Sequence, residues 1–147
     1  HVAHQLPLGV WGDAAALLSG AHAMTDVTGF GLAGHLRAIC RASGCGAVID
    51  PAAIPLFSGV EALAATGLRS TIWAANRRAA PVAGAGEDAR AVLLHDPQTA
   101  GGFLAAVASD VAEDRLRALR LAGHDAAIIG QMEEGAPGVR LQGVAQP

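Results

Sequence analysis

Two stretches of this 147-residue chain place oxygen-bearing side chains beside glycines in a way that a turn alone does not require. The first, "MTDVTGFGLAGH" at residues 24–35, sets Asp26 between Thr25 and Thr28 and follows with Gly29, Gly31 and Gly34. The second, "HDPQTAGG" at residues 95–102, repeats the theme with Asp96, Gln98, Thr99, Gly101 and Gly102. A carboxylate is a hard oxygen ligand, and magnesium binds through one or two of them plus substrate phosphates. Threonine hydroxyls donate to phosphate oxygens, and glycines let backbone N–H groups approach an anion. The first stretch also leads into a helix N-terminus, where the macrodipole favours negative charge. The same residues would serve structure alone. Asp26 or Thr28 would cap a helix beginning near Gly29 or Phe30, and Asp96-Pro97 would open a turn with Gly101 and Gly102 at positive φ. Spacing leaves both readings open. "GFGLAG" has dinucleotide-fingerprint spacing, but no strong strand is evident before it, and neither stretch is a Walker A loop.

Other reactive residues have weaker contexts. His35 follows the first stretch on the expected helix and reads as a surface or packed histidine. His95 adjoins Asp96, but no nucleophile lies beside the pair to make a triad. Arg77 and Arg78 read as a solvated charge pair, and His1 and His4 as residues of a frayed end. Cys40 and Cys45 make neither a disulfide framework nor a zinc site; one reads as packed on a helix, the other near its end.

Composition narrows the field further. All ten basic residues are arginine, so no lysine of this chain forms a Schiff base or a P-loop contact. Tyrosine is absent, and five scattered aromatics make a poor base-stacking platform. The net charge of −3 and the absence of a basic stripe argue against nucleic acid. No apolar run approaches the ~20 residues that cross a bilayer, and no signal peptide is evident, so a cytoplasmic protein without membrane association is expected.

The elements that must position these residues follow from periodicity. Residues 1–147 read as a single domain with an irregular arm at 1–12; Asp13 would cap a short helix through Ser19. Leu32, Leu36, Ile39 and Cys40 recur at helical spacing, with Gly44 as the stop. Residues 47–50, 91–95 and 103–108 read as strands, the first closed by Pro51. "SGVE" at 58–61 has capping-box spacing for another helix. Residues 68–91 read as a mobile surface excursion. Asp110 and Glu113 open a helix stopped by Gly123, and 126–132 with 138–142 read as a closing hairpin. The sum is an α+β domain of four or five strands in a mixed sheet with about three flanking helices.

Taken together, "AMTDVTGFGLAGHL" and "HDPQTAGGFLAAV" resemble the two signature stretches of the carboxy-terminal domain of the selenophosphate synthetases (selenide, water dikinases). The resemblance runs from about Ala23 to Ile129. The related superfamily includes aminoimidazole ribonucleotide synthetase, thiamine-monophosphate kinase and a hydrogenase-maturation protein. The resemblance implies a mixed sheet with flanking helices, and a reaction in which ATP, selenide and water give selenophosphate, AMP and phosphate with Mg²⁺. It implies Asp26 as a magnesium ligand, and Thr25, Thr28 and Gly29 as residues lining the phosphate cleft. Gln98, Thr99, Gly101 and Gly102 would form a second phosphate-facing lip. It further implies an amino-terminal ATP-binding domain as the partner of this one, selenide as substrate, and a homodimer.

Departures from the pattern set limits. The amino-terminal domain, with its reactive Cys or selenocysteine and its Lys, is not in this sequence, so no catalytic residue is expected in the chain and the isolated chain is expected to be inactive. Ala100 stands where a Ser is usual. "LRSTIWAAN" replaces a Gly-Gly-Thr-x-x-Asn pattern, so nothing is carried onto Thr71 or Asn76. The amino end lacks a long preceding helix, as expected of a divergent subfamily or a shortened chain. Two alternatives stand beside this reading: another ATP-dependent member of the superfamily with a different acceptor, and a non-catalytic dimerisation or regulatory module.

Overall fold

The computed structural model describes residues 2–5, 11–99 and 101–145. Among them seven strands form one sheet: β1 (Val2–Gln5), β2 (Ala23–Asp26), β3 (Gly46–Ile49), β4 (Val82–Ala83), β5 (Phe103–Ala106), β6 (Ala126–Glu133) and β7 (Gly138–Leu141). Their spatial order is β2-β5-β1-β6-β3-β7-β4. β7 runs parallel to both β3 and β4, and the remaining pairs are antiparallel, so the sheet is mixed as expected. The helices are α1 (Trp11–Leu17), α2 (Gly31–Ser43), α3 (Val60–Ala65), α4 (Trp73–Ala79), α5 (Ala89–Leu93) and α6 (Ala112–Leu121).

Strand alternation sorts the core into two layers. On β5, Leu104 joins Leu36, Cys40, Ile49 and Ile129 under α2. Its neighbours Phe103 and Ala105 face the other way, with Ala14 and Leu18 beside α1 and Leu119 of α6. α2 is the element the apolar spacing marked out. Leu32, Leu36, Ile39 and Cys40 are buried on one face, and Gly44 ends the helix at φ 64°, its N–H returning to the Cys40 carbonyl. Both cysteines are free, Cys40 buried in α2 and Cys45 half-buried just beyond it.

Several expectations are corrected. Val2–Gln5 is not part of an irregular arm but a strand between β5 and β6, while residues 6–10 lie outside the described residues. α1 starts at Trp11, so Asp13 sits in its first turn instead of capping it. At α3 the N-cap is Gly59 at φ 82° with no side-chain hydrogen bond, so the capping box does not form. Residues 91–95 are not a strand. Asp88 Oδ1 accepts the Ala91 N–H at 3.0 Å and opens α5 there, a reminder that a short apolar run has no period of its own. The 68–91 excursion is ordered: it holds α4 and β4, and buries Asn76, Ala80 and Val82. Finally, β6 and β7 exist but do not pair, because β3 lies between them. The link between them passes over the start of β3, where a Cβ on Gly46 would meet the Ala136 carbonyl at 3.3 Å.

Candidate functional site

The two polar stretches meet. β2 is an edge strand whose last residue, Asp26, pairs with Phe103 of β5. The contact continues past the strand ends: the Val27 N–H donates to the Gly102 carbonyl at 3.0 Å, and the Gln98 N–H donates to the Thr28 carbonyl at 3.1 Å. At the start of α2 the Ala33 N–H donates to the Leu94 carbonyl at 2.9 Å. The two segments therefore form one zipped unit at the sheet edge. A strand does precede the glycines of the first stretch, contrary to the sequence reading. It lies antiparallel to its neighbour, which is not the parallel unit of a dinucleotide site.

Glycines make this approach possible. Gly31 takes φ +69°, and a Cβ there would lie 2.8 Å from the His95 carbonyl carbon and 2.9 Å from the Leu94 oxygen. A Cβ on Gly101 would overlap the Val27 carbonyl. Both positions serve segment-to-segment packing. Gly101 and Gly102 also border an apolar cavity of about 70 Å³ lined by Val27, Leu32, Ile54 and Leu94. Gly29 differs, since a Cβ there meets nothing within 4 Å.

Neither cap assignment for Asp26 or Thr28 holds. The N-cap of α2 is Phe30, with no side-chain hydrogen bond. Asp26 is exposed on the face opposite Thr25 and Val27, as the strand pleat demands. Thr25 is half-buried, and its hydroxyl donates to the Asp26 carbonyl at 3.0 Å. Thr28 turns toward α2. Its N–H donates to His35 Nε2 at 3.0 Å, with its hydroxyl 3.1 Å from the same nitrogen. His35 thus faces the first stretch and is not a bystander. Burial lowers its pKa, and the nearby Asp26 carboxylate partly opposes that shift.

The second stretch has a different environment. Gln98 is half-buried and Thr99 exposed; Ala100 lies outside the described residues. Burial raises the Asp96 pKa, with Arg69 pulling the other way. His95 is fully buried, and its Nε2 lies 3.0 Å from the Ala80 carbonyl. Its role is packing, with Trp73 standing edge-on at 6.2 Å. Arg77 pairs with Glu87 and lies 5.3 Å from the Trp73 ring centroid, so it is not simply solvated.

Sequence reasoning passed over Asn76. This buried residue of α4 donates from Nδ2 to the Gly29 carbonyl at 2.8 Å and to the His95 carbonyl at 3.1 Å, tying both stretches to one side chain. A polar residue within an alanine-rich run was the available signal, because such a group is buried only with its partners in place. Thr71, by contrast, is exposed. The described residues contain no group of three or more His, Cys, Asp or Glu that would hold a metal by itself. No described helix is long and apolar enough to cross a membrane.

Comparison with known proteins adds independent information. The family described as AIR synthase related protein, C-terminal domain, matches residues 11–142. Selenide, water dikinase from Pseudomonas straminea is 43% identical over 133 residues, covering 87% of this chain and 37% of that protein. The chain therefore spans little more than a third of the length of that relative. The E. coli hydrogenase maturation protein HypE superposes with a TM-score of 0.66 at 28% identity, over 92% of this chain and 37% of that one. A HypE in complex with ATP shares the fold, at a TM-score of 0.55 and 21% identity over 80% of this chain and 29% of that one.

Proposed function

This chain belongs to the AIR synthase related protein family as its C-terminal domain, and from that premise we propose that it is the carboxy-terminal domain of a selenide, water dikinase. In the whole protein, ATP, selenide and water would give selenophosphate, AMP and phosphate. The observation that supports the reading is the zipped pair of stretches, which joins the strand end bearing the exposed Asp26 and the half-buried Thr28 to the segment bearing the half-buried Gln98. The likeness to a selenide, water dikinase, 43% identical over 87% of this chain, supports it as well.

The donors present suit magnesium held from one side. Asp26 is an exposed carboxylate at a strand end, and no second or third acidic ligand is needed when phosphate oxygens and water complete the shell. Asp26 would hold the ion, which when bound neutralises charge on the phosphates of ATP. Thr28 and the Gly29 backbone would line the phosphate cleft, with Thr25 at its strand end. Gln98 and Thr99 would form the second lip. Gly101 would act mainly by letting the lips approach, and both it and Gly102 border apolar space.

An amino-terminal domain would complete the ATP site and supply the reactive groups, and the chain alone would be inactive. A cytoplasmic homodimer acting on selenide fits this reading. The likeness to HypE favours one competing assignment, an ATP-using relative with a different acceptor. The test is to follow phosphorus by NMR when the full-length protein meets ATP and selenide. Selenophosphate and AMP are expected; if neither forms, the dikinase assignment is wrong.

A further inference from the structure

Several amides around the first turn are committed within the protein. Val27 donates to Gly102, Gly31 to Thr28 and Ala33 to Leu94, all backbone to backbone. Thr28 is the exception, because its N–H ends on a side chain, His35 Nε2, at 3.0 Å. An amide only donates, so this nitrogen is unprotonated and a neutral ring carries its hydrogen on Nδ1. A neutral imidazole offers one lone pair here, and two Thr28 donors converge on it. The amide is fixed by the backbone, whereas the hydroxyl at 3.1 Å rotates freely and can give its proton elsewhere.

The placement of His35 follows from α2. Gly31 starts the helix hard against residues 94–96, and one turn later His35 comes beneath Thr28. Phe30 tilts against the ring, with centroids 5.8 Å apart. Asn76 holds the next residue along by the Gly29 carbonyl at 2.8 Å. The Thr28–Gly29 turn is thus gripped from α2 by an acceptor and from α4 by a donor.

We propose that His35 is a positioning residue for the phosphate-facing turn: by accepting the Thr28 N–H it fixes the turn at the end of β2 and leaves the Thr28 hydroxyl free to donate to a phosphate oxygen. This rests on the reading of that turn as one wall of a Mg²⁺–ATP cleft. No step of the reaction passes through the ring; it acts through Thr28.

Two measurements test it. In the ¹⁵N-labelled chain at neutral pH, a scalar coupling across the hydrogen bond should link the Thr28 amide nitrogen to His35 Nε2, with the ring in its Nδ1–H form. A ring protonated on Nε2, with no such coupling, overturns the proposal. In the full-length protein, His35→Ala should weaken Mg²⁺–ATP binding about tenfold, the size expected for one lost hydrogen bond of this kind. His35→Gln, whose Oε1 can accept the same N–H, should stay within about twofold of wild type. Equal loss in both variants, tracking their folded fraction, would show a merely structural residue and overturn the proposal. Because binding of Mg²⁺–ATP is read without selenide, failure of the dikinase assignment would appear separately, as absence of selenophosphate from a protein that still binds the nucleotide.

Discussion

The two polar stretches have nearly the same residue types and opposite environments. In the first, the carboxylate of Asp26 is exposed at an edge strand. In the second, Asp96 is half-buried and its pKa is raised by that burial. Each includes a glycine where one is required, yet Gly31 and Gly101 serve the contact between the stretches. An Asp-Thr-Gly pattern therefore does not define a role. An exposed carboxylate keeps its charge at little cost and can meet a cation, while a desolvated one resists ionisation and suits a bracing position.

That contrast is open to direct attack. Replacing Asp26 by Asn in the full-length protein should lower Mg²⁺–ATP turnover on the order of a hundredfold, while the melting temperature stays near that of wild type. Asp96→Asn should leave turnover much closer to wild type, because it removes no charge from the proposed metal site. Equal losses would erase the distinction drawn between the two carboxylates. Unfolding of Asp26→Asn, with unchanged turnover in the surviving fraction, would return Asp26 to a structural role.

The glycines give the next largest effect. Gly31→Ala combines a left-handed backbone with a Cβ placed against residues 94–96, and should cost about 2–4 kcal/mol in denaturant unfolding. Gly29→Ala has open space for its Cβ and should cost no more than about 1 kcal/mol. If the two were equally destabilising, the zipped contact would not be what Gly31 is for.

A smaller effect comes from pH. Burial lowers the pKa values of both His35 and His95 below the ordinary 6.5. The unfolded chain then takes up protons first as the solution is acidified. Their contribution to stability is complete above pH 6.5 and is lost as pH falls through the lowered folded values. Urea midpoints measured downward from pH 7.5 should fall accordingly. Because the Asp26 charge partly supports a protonated His35, Asp26→Asn should lower the His35 pKa further, a shift readable by NMR titration. An unmoved His35 would separate the carboxylate from this cluster.

Much of the fold could be read from local pattern. α2 was legible because Leu32, Leu36, Ile39 and Cys40 mark one buried face and Gly44 supplies the left-handed stop. β3, β5 and α6 were legible for similar reasons. Residues 91–95 were not, since five apolar-rich positions satisfy strand and helix alike until the Asp88 cap decides. The 68–91 segment misled because its Gly, Pro and charged residues mask one buried asparagine. β6 and β7 looked like a hairpin because nothing within either strand reports that β3 intervenes.

Local chemistry in the sequence determined the helix stop at Gly44, the alternation on β5 and the presence of two stretches that combine carboxylate, hydroxyl and glycine. Those depend on neighbours within a turn or a pleat. Only the tertiary structure decided that the stretches join, that Asp26 faces outward while Asp96 is desolvated, and that His35 and Asn76 hold the turn between them. Such choices depend on residues 7, 19 and 47 positions apart along the chain. Burial and hydrogen-bond partners at that separation exist only once the sheet edge, α2 and α4 have packed together.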